Sequence, residues 1–509
     1  MIAAWLIPTI AAIVFAHHYA VDWFFNDDLQ TLQWLRQWDA GTLGVGDLFG
    51  LWNNEHPVGA QFAVMALMRS IVGLDFKALV YLSFVVIAAT AVLAARCAIG
   101  PQQPMRARIG ITLACFVLAF HPTQMEHLLW AFELGWFLIN AVALANALLA
   151  ERFGRAAVWP SAVLCLIASS MSAQGAMTWF AAGAHQALLP GGRWSRAASA
   201  LTLAACGVLA VVRLEERPHL AAAAGGDANP LAWIVYALQV LGGASASRRH
   251  GLLLTVGAAL VVATLALFWL RRNTPEQRRL RVAAVLVGFS ALCVAGFTQG
   301  RRALGIDWAI ASFHAAPFIV PLLLGLVVLM AASAGAARRH PRADAVVTGM
   351  TIALLAATVA GASGYGATRA RLWAMDRGYA RWATCGSDLS TIVMARGSGV
   401  AFDPPGFVAA LPLIRDLCRG PTGPLETALV ARPRLFDALA VGRPEVDRAL
   451  DVLWEDYATE LMLQLAFKPE EADMPQRLLA FAKANADKDS ELDPDRLKPF
   501  AEIYRSLAP

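Results

Sequence analysis

Charged residues are scarce in this sequence. Asp, Glu, Lys and Arg make up 16% of the 509 residues, whereas soluble domains contain about 25%. Hydrophobic residues account for 58%, which excludes a single soluble globule and also excludes intrinsic disorder, since disorder requires low hydrophobicity and high net charge. Signatures of soluble enzymes are missing as well: there is no Walker loop, no GxGxxG turn, no CxxC or HExxH spacing and no nucleophile elbow.

In their place the sequence has long apolar runs, and a membrane-spanning helix needs about 20 such residues. Eleven runs qualify or come close: 3–21, 78–98, 109–120, 128–150, 157–173, 176–189, 197–212, 251–270, 282–297, 312–330 and 345–362. Two further stretches, 58–74 and 231–247, are apolar but ambiguous. We therefore predict an all-α polytopic membrane protein with about 11–13 transmembrane helices.

The basic residues indicate an orientation, because Lys and Arg collect on the cytoplasmic side of a membrane. Five arginine clusters separate the runs, at 96–108, 152–155, 193–196, 271–281 and 338–342. If all five are cytoplasmic, the N-terminus lies inside and the chain from residue 363 lies outside. This solution requires 57–74 and 231–247 to be re-entrant, interfacial or paired with another half-span.

The charge balance divides the chain in the same place. Residues 1–362 contain 24 Lys and Arg against 16 Asp and Glu, whereas residues 363–509 contain 18 against 21. We predict a transmembrane domain over 1–362, with a first extracytoplasmic loop at 22–56, and a small, mostly helical extracytoplasmic domain over 363–509. Cys385 and Cys418 are the two cysteines of the tail, and such a pair outside the cytoplasm is a natural disulfide, although the sequence does not fix the pairing. The scattered basic residues give no support to nucleic-acid binding.

Four polar segments meet on the extracytoplasmic side in this topology, within 22–56, 121–127, 169–175 and 298–307. Ionisable groups at the mouth of a helix bundle are costly unless they are solvated or paired, which makes them candidates for function. The candidate catalytic residues are Asp27 and Asp28, and the candidate substrate-binding residues are Glu55, His56, His121, Gln124, Glu126, His127, Arg301 and Arg302.

Each candidate also has a structural interpretation. Asp27 or Asp28 could cap the amphipathic helix that follows, but capping explains one carboxylate and leaves its neighbour idle. His56 and His121 each precede a proline at a favourable first helical position, and either imidazole could be a satisfied core group. The arginine pair at 301–302 lies outside, against the usual bias, which indicates an anionic partner or lipid headgroups.

Carboxylates, imidazoles and guanidiniums at a membrane surface, without a nucleotide fold, fit glycosyl transfer from a polyprenyl-phosphate sugar. A carboxylate would deprotonate the acceptor hydroxyl, and guanidiniums would stabilise the departing phosphate. Attack opposite the leaving group would invert the anomeric centre. No cofactor is expected, and two adjacent carboxylates are too few to predict a metal site.

The motifs also resemble a known superfamily. A first span, a loop with an acidic pair (Asp27-Asp28) and a His-Pro ending (Glu55-His56-Pro57) resemble the GT-C glycosyltransferases, which use lipid-linked sugars and include protein mannosyltransferases and aminoarabinose transferases. The run HPTQMEHLLWAFELGWFL at 121–138 and the later Gly300-Arg301 are similar to motifs of uncharacterised bacterial multi-pass proteins. The resemblance covers about residues 1–335 and implies a bacterial inner-membrane enzyme whose catalytic base is Asp27 or Asp28.

Several positions depart from the motifs of that group. Its NEHR motif reads Asn54-Glu55-His56-Pro57 here, and its SRY motif reads Ser312-Phe313-His314, so an arginine is lost from each. If those arginines bind the donor phosphate, Arg301 and Arg302 must compensate, or the chain binds a different donor or is inactive. The WWDYG signature of oligosaccharyltransferases is missing.

The sequence thus predicts an inverting membrane glycosyltransferase whose partners are a polyprenyl-phosphate sugar, membrane lipids and a glycan, lipid or protein acceptor. Two alternatives remain open: a transporter or flippase of a lipid-linked or polar solute, and a non-catalytic scaffold for envelope assembly. A transporter would favour ionisable residues at the bilayer midplane and internal repeats, whereas here the charges cluster at one rim.

Overall fold

The computed structural model describes residues 2–24, 27–53, 56–101, 103–215, 229–311, 313–332, 341–386, 413–414 and 417–418. These residues are almost entirely helical, and one antiparallel pair of two-residue strands, β1 (Trp52–Asn53) and β2 (His56–Pro57), interrupts them. The first ten helices are α1 (Ile2–Tyr19), α2 (Asp27–Asp39), α3 (Gly59–Val72), α4 (Phe76–Ala98), α5 (Met105–Ala119), α6 (Met125–Leu128), α7 (Leu134–Phe153), α8 (Val158–Ser169), α9 (Met177–Leu188) and α10 (Arg193–Glu215). The remaining six α-helices of the described residues are α11 (Pro230–Gly242), α12 (His250–Arg271), α13 (Gln277–Arg301), α14 (Gly305–Ala311), α15 (Ala316–Ala331) and α16 (Pro341–Gly386).

Six helical segments of the described chain are long and apolar enough to cross a membrane: Phe76–Ala98, Ala131–Ser169, Arg193–Leu214, His250–Arg271, Gln277–Asp307 and Pro341–Ala370. Four shorter apolar helices accompany them: Trp5–Tyr19, Gly59–Val72, Pro230–Ser245 and Ala316–Ala331. The predicted class, an all-α polytopic membrane protein, is confirmed at this level. The ambiguous stretches 58–74 and 231–247 correspond to short helices of 14 and 13 residues.

The described helices divide into two compact units. The first comprises Met1–Ala16, Val45–Met65 and Leu79–Ala370, and the second comprises His17–Gly44, Ala66–Ala78 and Arg371–Pro509. The predicted border at 362–363 falls inside α16, which continues without interruption to Gly386. Most of the predicted first loop belongs to the second unit rather than to the unit that contains the long helices.

Helix α15 forms the centre of the first unit. It is apolar on all sides and buried along nearly its full length, as expected of a helix surrounded by others. Pro321 lies inside it, and proline lacks the N–H that would bond to the carbonyl four residues earlier. Asn140 of α7 supplies the missing donor, because its Nδ2 donates to Pro317 O at 2.7 Å.

Ion pairs lie near the start of α13 and near the ends of α7 and α12 in this unit. Arg281, near the start of α13, donates from Nε and Nη2 to the two carboxylate oxygens of Glu151 at 2.7 and 2.8 Å, and His185 Nε2 lies 2.8 Å from Glu151 Oε1. Arg271 donates to Asp344 at 3.1 Å, and both side chains are buried. Such groups are tolerated inside a helix bundle because each charge is paired.

In the second unit, helix α2 begins at Asp27. Asp22 accepts the backbone N–H of Phe76 at 2.8 Å and so caps the start of α4. Asp39, at the end of α2, accepts two hydrogen bonds from Arg69 at 2.8 and 2.7 Å. Cys418 is disulfide-bonded, whereas the side chain of Cys385 and most of the predicted C-terminal domain lie outside the described residues.

Candidate functional site

The predicted site residues of the 121–127 segment lie on one compact turn between α5 and α7. A 3-10 turn over Pro122–Gln124 leads directly into the single turn of α6, and His121, Gln124, Glu126 and His127 are all buried. Two of these four side chains hold the turn itself together. His121 Nδ1 accepts the backbone N–H of Thr123 at 3.4 Å, and Gln124 Nε2 donates to the carbonyl of Ala119 at the end of α5.

Glu126 pairs with an arginine that the sequence interpretation missed. Arg369 of α16 donates from Nε and Nη2 to Glu126 Oε2 at 2.8 and 2.5 Å. The pairing requires α16 to approach the turn closely, and Gly366 permits this, because a Cβ atom there would lie 2.6 Å from Pro122 O. No local pattern links residues 126 and 369, which are 243 positions apart.

His127 lies beside a second carboxylate. Its Nδ1 is 3.6 Å from Glu133 Oε1, and both side chains are almost completely buried. The imidazole also packs against Trp136 and His314, with ring centroids 5.5 and 5.7 Å apart. The His127 ring is therefore buried between a nearby carboxylate and two packed rings.

His314 lies where several of these groups converge. Burial lowers its pKa to about 3, and nearby His127, Arg301, Arg369 and His56 contribute in the same direction. It follows Phe313, whose φ of 50° is in the left-handed region that bulky residues rarely adopt.

The strain at Phe313 is held by packing. Its ring meets that of Tyr365 edge to face at 4.9 Å and belongs to a buried apolar cluster with Leu253 and Ile310. A residue keeps such a backbone only when its surroundings enforce it. The packing around Phe313 therefore fixes the backbone position of the next residue, His314.

His56 lies on β2 and contacts the third predicted polar segment. Its Nδ1 is 3.2 Å from Ser172 Oγ and accepts the backbone N–H of Ala173 at 3.4 Å. Burial lowers the pKa of His56 to about 4, and burial does the same to His121. These imidazoles are neutral at pH 7 and act as hydrogen-bonding groups rather than as cations.

We use the name polar cluster for His56, Glu126, His127, Glu133, Arg301, His314 and Arg369, all of the first unit. It contains two guanidiniums, two carboxyl groups and three imidazoles, which can bind an anionic group and relay a proton. Arg302 follows Arg301 in a short 3-10 turn and is partly exposed. Within the described residues no group of His, Cys, Asp and Glu side chains has the arrangement of a metal site.

Asp27 and Asp28 belong to the second unit. They occupy the first turn of α2, where the helix dipole favours negative charge, and Asp28 is 1% exposed while Asp27 is half-buried. Glu55, the remaining candidate, lies outside the described residues.

Of the cluster residues that were not predicted as site residues, Arg369 left no usable signal in the sequence. Glu133 lies within the 121–138 run and His314 in the departure from the SRY motif, so both positions carried a sequence signal. Comparison with protein-family models, with curated proteins and with solved structures finds no match to this chain.

Proposed function

We propose that the chain is an inverting membrane glycosyltransferase that takes a sugar from a polyprenyl-phosphate donor. Two observations support the proposal: Arg369 is paired with Glu126 of the turn, and the charges of Arg301 and Arg369 both lower the pKa of His314. Guanidiniums bind phosphate oxygens with planar, paired hydrogen bonds. A site with two of them beside imidazoles suits a phosphate leaving group.

The position of the cluster along the helices supports a lipid-borne donor. Helix α13 starts beside the arginines 278, 279 and 281 and ends at Arg301, so its two ends are about 37 Å apart at 1.5 Å per residue. The proposal places the arginine-rich end in the cytoplasm and the polar cluster at the outer surface of a bacterial inner membrane. It includes 11–13 spans, a cytoplasmic N-terminus and an extracytoplasmic C-terminal domain.

In the proposed reaction, the acceptor hydroxyl oxygen attacks the anomeric carbon of the donor. The bond from that carbon to the phosphate oxygen breaks, and the phosphate leaves with the electron pair. Arg301 and Arg369 stabilise the negative charge that develops on it. The hydroxyl proton passes to Asp27 or Asp28, an assignment that follows the GT-C resemblance.

The test uses the purified full-length chain in lipid nanodiscs with a panel of polyprenyl-phosphate hexoses. Mass spectrometry detects the transferred or hydrolysed sugar. Asp27→Asn or Asp28→Asn is expected to lower the rate by about 10²–10⁴-fold, the usual contribution of a general base. Asp39→Asn, on the same helix and paired with Arg69 at the surface, is the matched control and should keep the rate.

The outcomes separate the proposal from its alternatives. Full activity in both aspartate variants would show that neither Asp27 nor Asp28 is the base, but it would leave the transferase proposal in place. A chain that uses no donor of the panel and instead exchanges a solute across proteoliposomes would be a transporter. A chain that does neither would fit a scaffold.

A further inference from the structure

A small cavity lies inside the first unit, beside the proline of α15. Its volume is about 10 Å³, and it is lined by apolar side chains together with Thr90, Gln124 and Asn140. Pro321 forms part of the wall. The cavity therefore lies where α15 lacks a backbone hydrogen bond and where the turn that contains Glu126 begins.

The neighbouring hydrogen bonds fix the direction of both amides. Gln124 Nε2 donates to Ala119 O, and Asn140 Nδ2 donates to Pro317 O. A backbone carbonyl only accepts, so neither amide can be reversed without losing its bond. Gln124 Oε1 and Asn140 Oδ1 must therefore point away from those carbonyls.

Both oxygens are deeply buried and lack a donor. Gln124 is 1% exposed and Asn140 is 6% exposed. Neither Gln124 Oε1 nor Asn140 Oδ1 has a hydrogen-bond partner in the described part of the chain. Leaving a buried acceptor unpaired costs about 1–3 kcal/mol.

The third polar group of the wall is also an acceptor. The hydroxyl of Thr90 donates its proton to Val86 O at 2.9 Å, so only its lone pairs are available to the cavity. All three polar groups therefore accept hydrogen bonds, and the guest that suits them is a donor of water size.

We propose that this cavity is a binding site for one structural water molecule, which donates a hydrogen bond to Gln124 Oε1 and another to Asn140 Oδ1. The volume matches the roughly 10–15 Å³ that one water requires. A sodium ion is less suitable, because no carboxylate lines the cavity and a buried charge without a counter-charge is costly. The water connects Asn140, which is bonded to Pro317 O of α15, to the turn that contains Glu126 and His127.

A double-mutant cycle tests the bridge in the full-length protein. Gln124→Met and Asn140→Leu each remove a hydrogen bond to a different carbonyl. If nothing in the shared cavity couples the two side chains, their effects on the unfolding midpoint add. If a water bridges the two oxygens, either single substitution already releases it. The unfolding midpoint of the double variant should then fall by clearly less than the sum of the two single falls. The matched control is Asn146→Leu with Gln124→Met. Asn146 lies on the same helix and is buried, but it is not in the cavity wall, so that pair should be additive.

Two further measurements decide the identity of the guest. An experimental density map at about 2 Å resolution should show one peak about 2.8 Å from both oxygens, and a map without this peak would overturn the proposal. The unfolding midpoint should be the same in sodium, potassium and choline chloride. A midpoint that rises only in sodium chloride would show that the guest is a cation and not a water. Additive effects of Gln124→Met and Asn140→Leu would count against any bridging guest.

Discussion

Arg369 of α16 and Glu126 of the turn after α5 form a two-bond ion pair at 2.8 and 2.5 Å. The pair holds the polar cluster together at this point, because it fixes one of the two guanidiniums of the cluster to one of the two carboxyl groups. Arg369 also acts on His314. The distance between α16 and the turn therefore controls the geometry of several groups.

The first prediction concerns that distance. Gly366→Ala should destabilise the protein, because its Cβ would lie 2.6 Å from the backbone oxygen of Pro122 and would push α16 away from the turn. Gly364→Ala on the same helix meets no atom within 4 Å and should be neutral or stabilising by about 0.5–1 kcal/mol. Thermal unfolding of both variants in detergent measures the difference, and equal midpoints would contradict the close approach.

The second prediction is a loss of stability in acid. Burial holds the pKa of His56 and His121 at about 4 and that of His314 at about 3, below the value of about 6.5 in an unfolded chain. Between these values the unfolded state binds more protons, so stability must fall as the pH decreases from about 6.5 toward 4. The unfolding midpoint measured across this range checks the sign.

A variant assigns the acid effect to its source. His314→Gln removes one titrating group and should flatten the midpoint profile below pH 6. His250→Gln is the control, because His250 is exposed and paired with exposed Asp307. A profile that is flat in the unmodified protein would show that the imidazoles are not buried as described.

The third prediction concerns Glu151, near the end of α7. Glu151→Gln should destabilise the protein by about 3–5 kcal/mol, because it leaves the partly buried Arg281 without its counter-charge. Glu276→Gln breaks a more exposed pair with Arg279 and should cost at most about 1 kcal/mol. Denaturant or thermal titration of both variants gives the comparison, and similar losses would contradict the role of Glu151.

The sequence predicted the fold class and most helix positions because long apolar runs indicate membrane-spanning helices, whether they face other helices or the lipid. The apolar pattern fades near residue 362 while α16 continues to Gly386, so the sequence pattern did not indicate where that helix ends, and the predicted domain border stays a prediction. From ionisable groups in unfavourable positions it predicts functional residues in the 121–127 segment and at Arg301, and these stay predictions. It missed Arg369, whose role depends on a contact between distant segments that only the folded chain creates.

The same limit applies to individual side chains of the turn. His121 and Gln124 were predicted to bind substrate, and the structure shows that each also bonds to backbone atoms of the turn or of α5. A sequence does not distinguish a polar side chain that caps a turn from one that contacts a ligand, since both are buried and hydrogen-bonded. The assignment of these two residues to substrate stays a prediction.

The fourth prediction separates two adjacent arginines. Arg301 lies close enough to His314 to lower its pKa, whereas Arg302 begins the following 3-10 turn. If the cluster binds a donor phosphate, Arg301→Ala should reduce transfer by about 10²–10³-fold, the usual loss for a group that stabilises developing charge. Arg302→Ala should reduce it much less.

A second readout of Arg301→Ala does not depend on activity. Removing the positive charge near His314 should raise the pKa of that imidazole. In ¹⁵N-histidine NMR spectra of the purified protein, His314 should therefore titrate at a higher pH in Arg301→Ala than in the unmodified chain or in Arg302→Ala. An unchanged His314 titration would show that Arg301 is too far away to belong to the cluster. A raised pKa with unchanged transfer would keep the cluster but remove Arg301 from the proposed phosphate site.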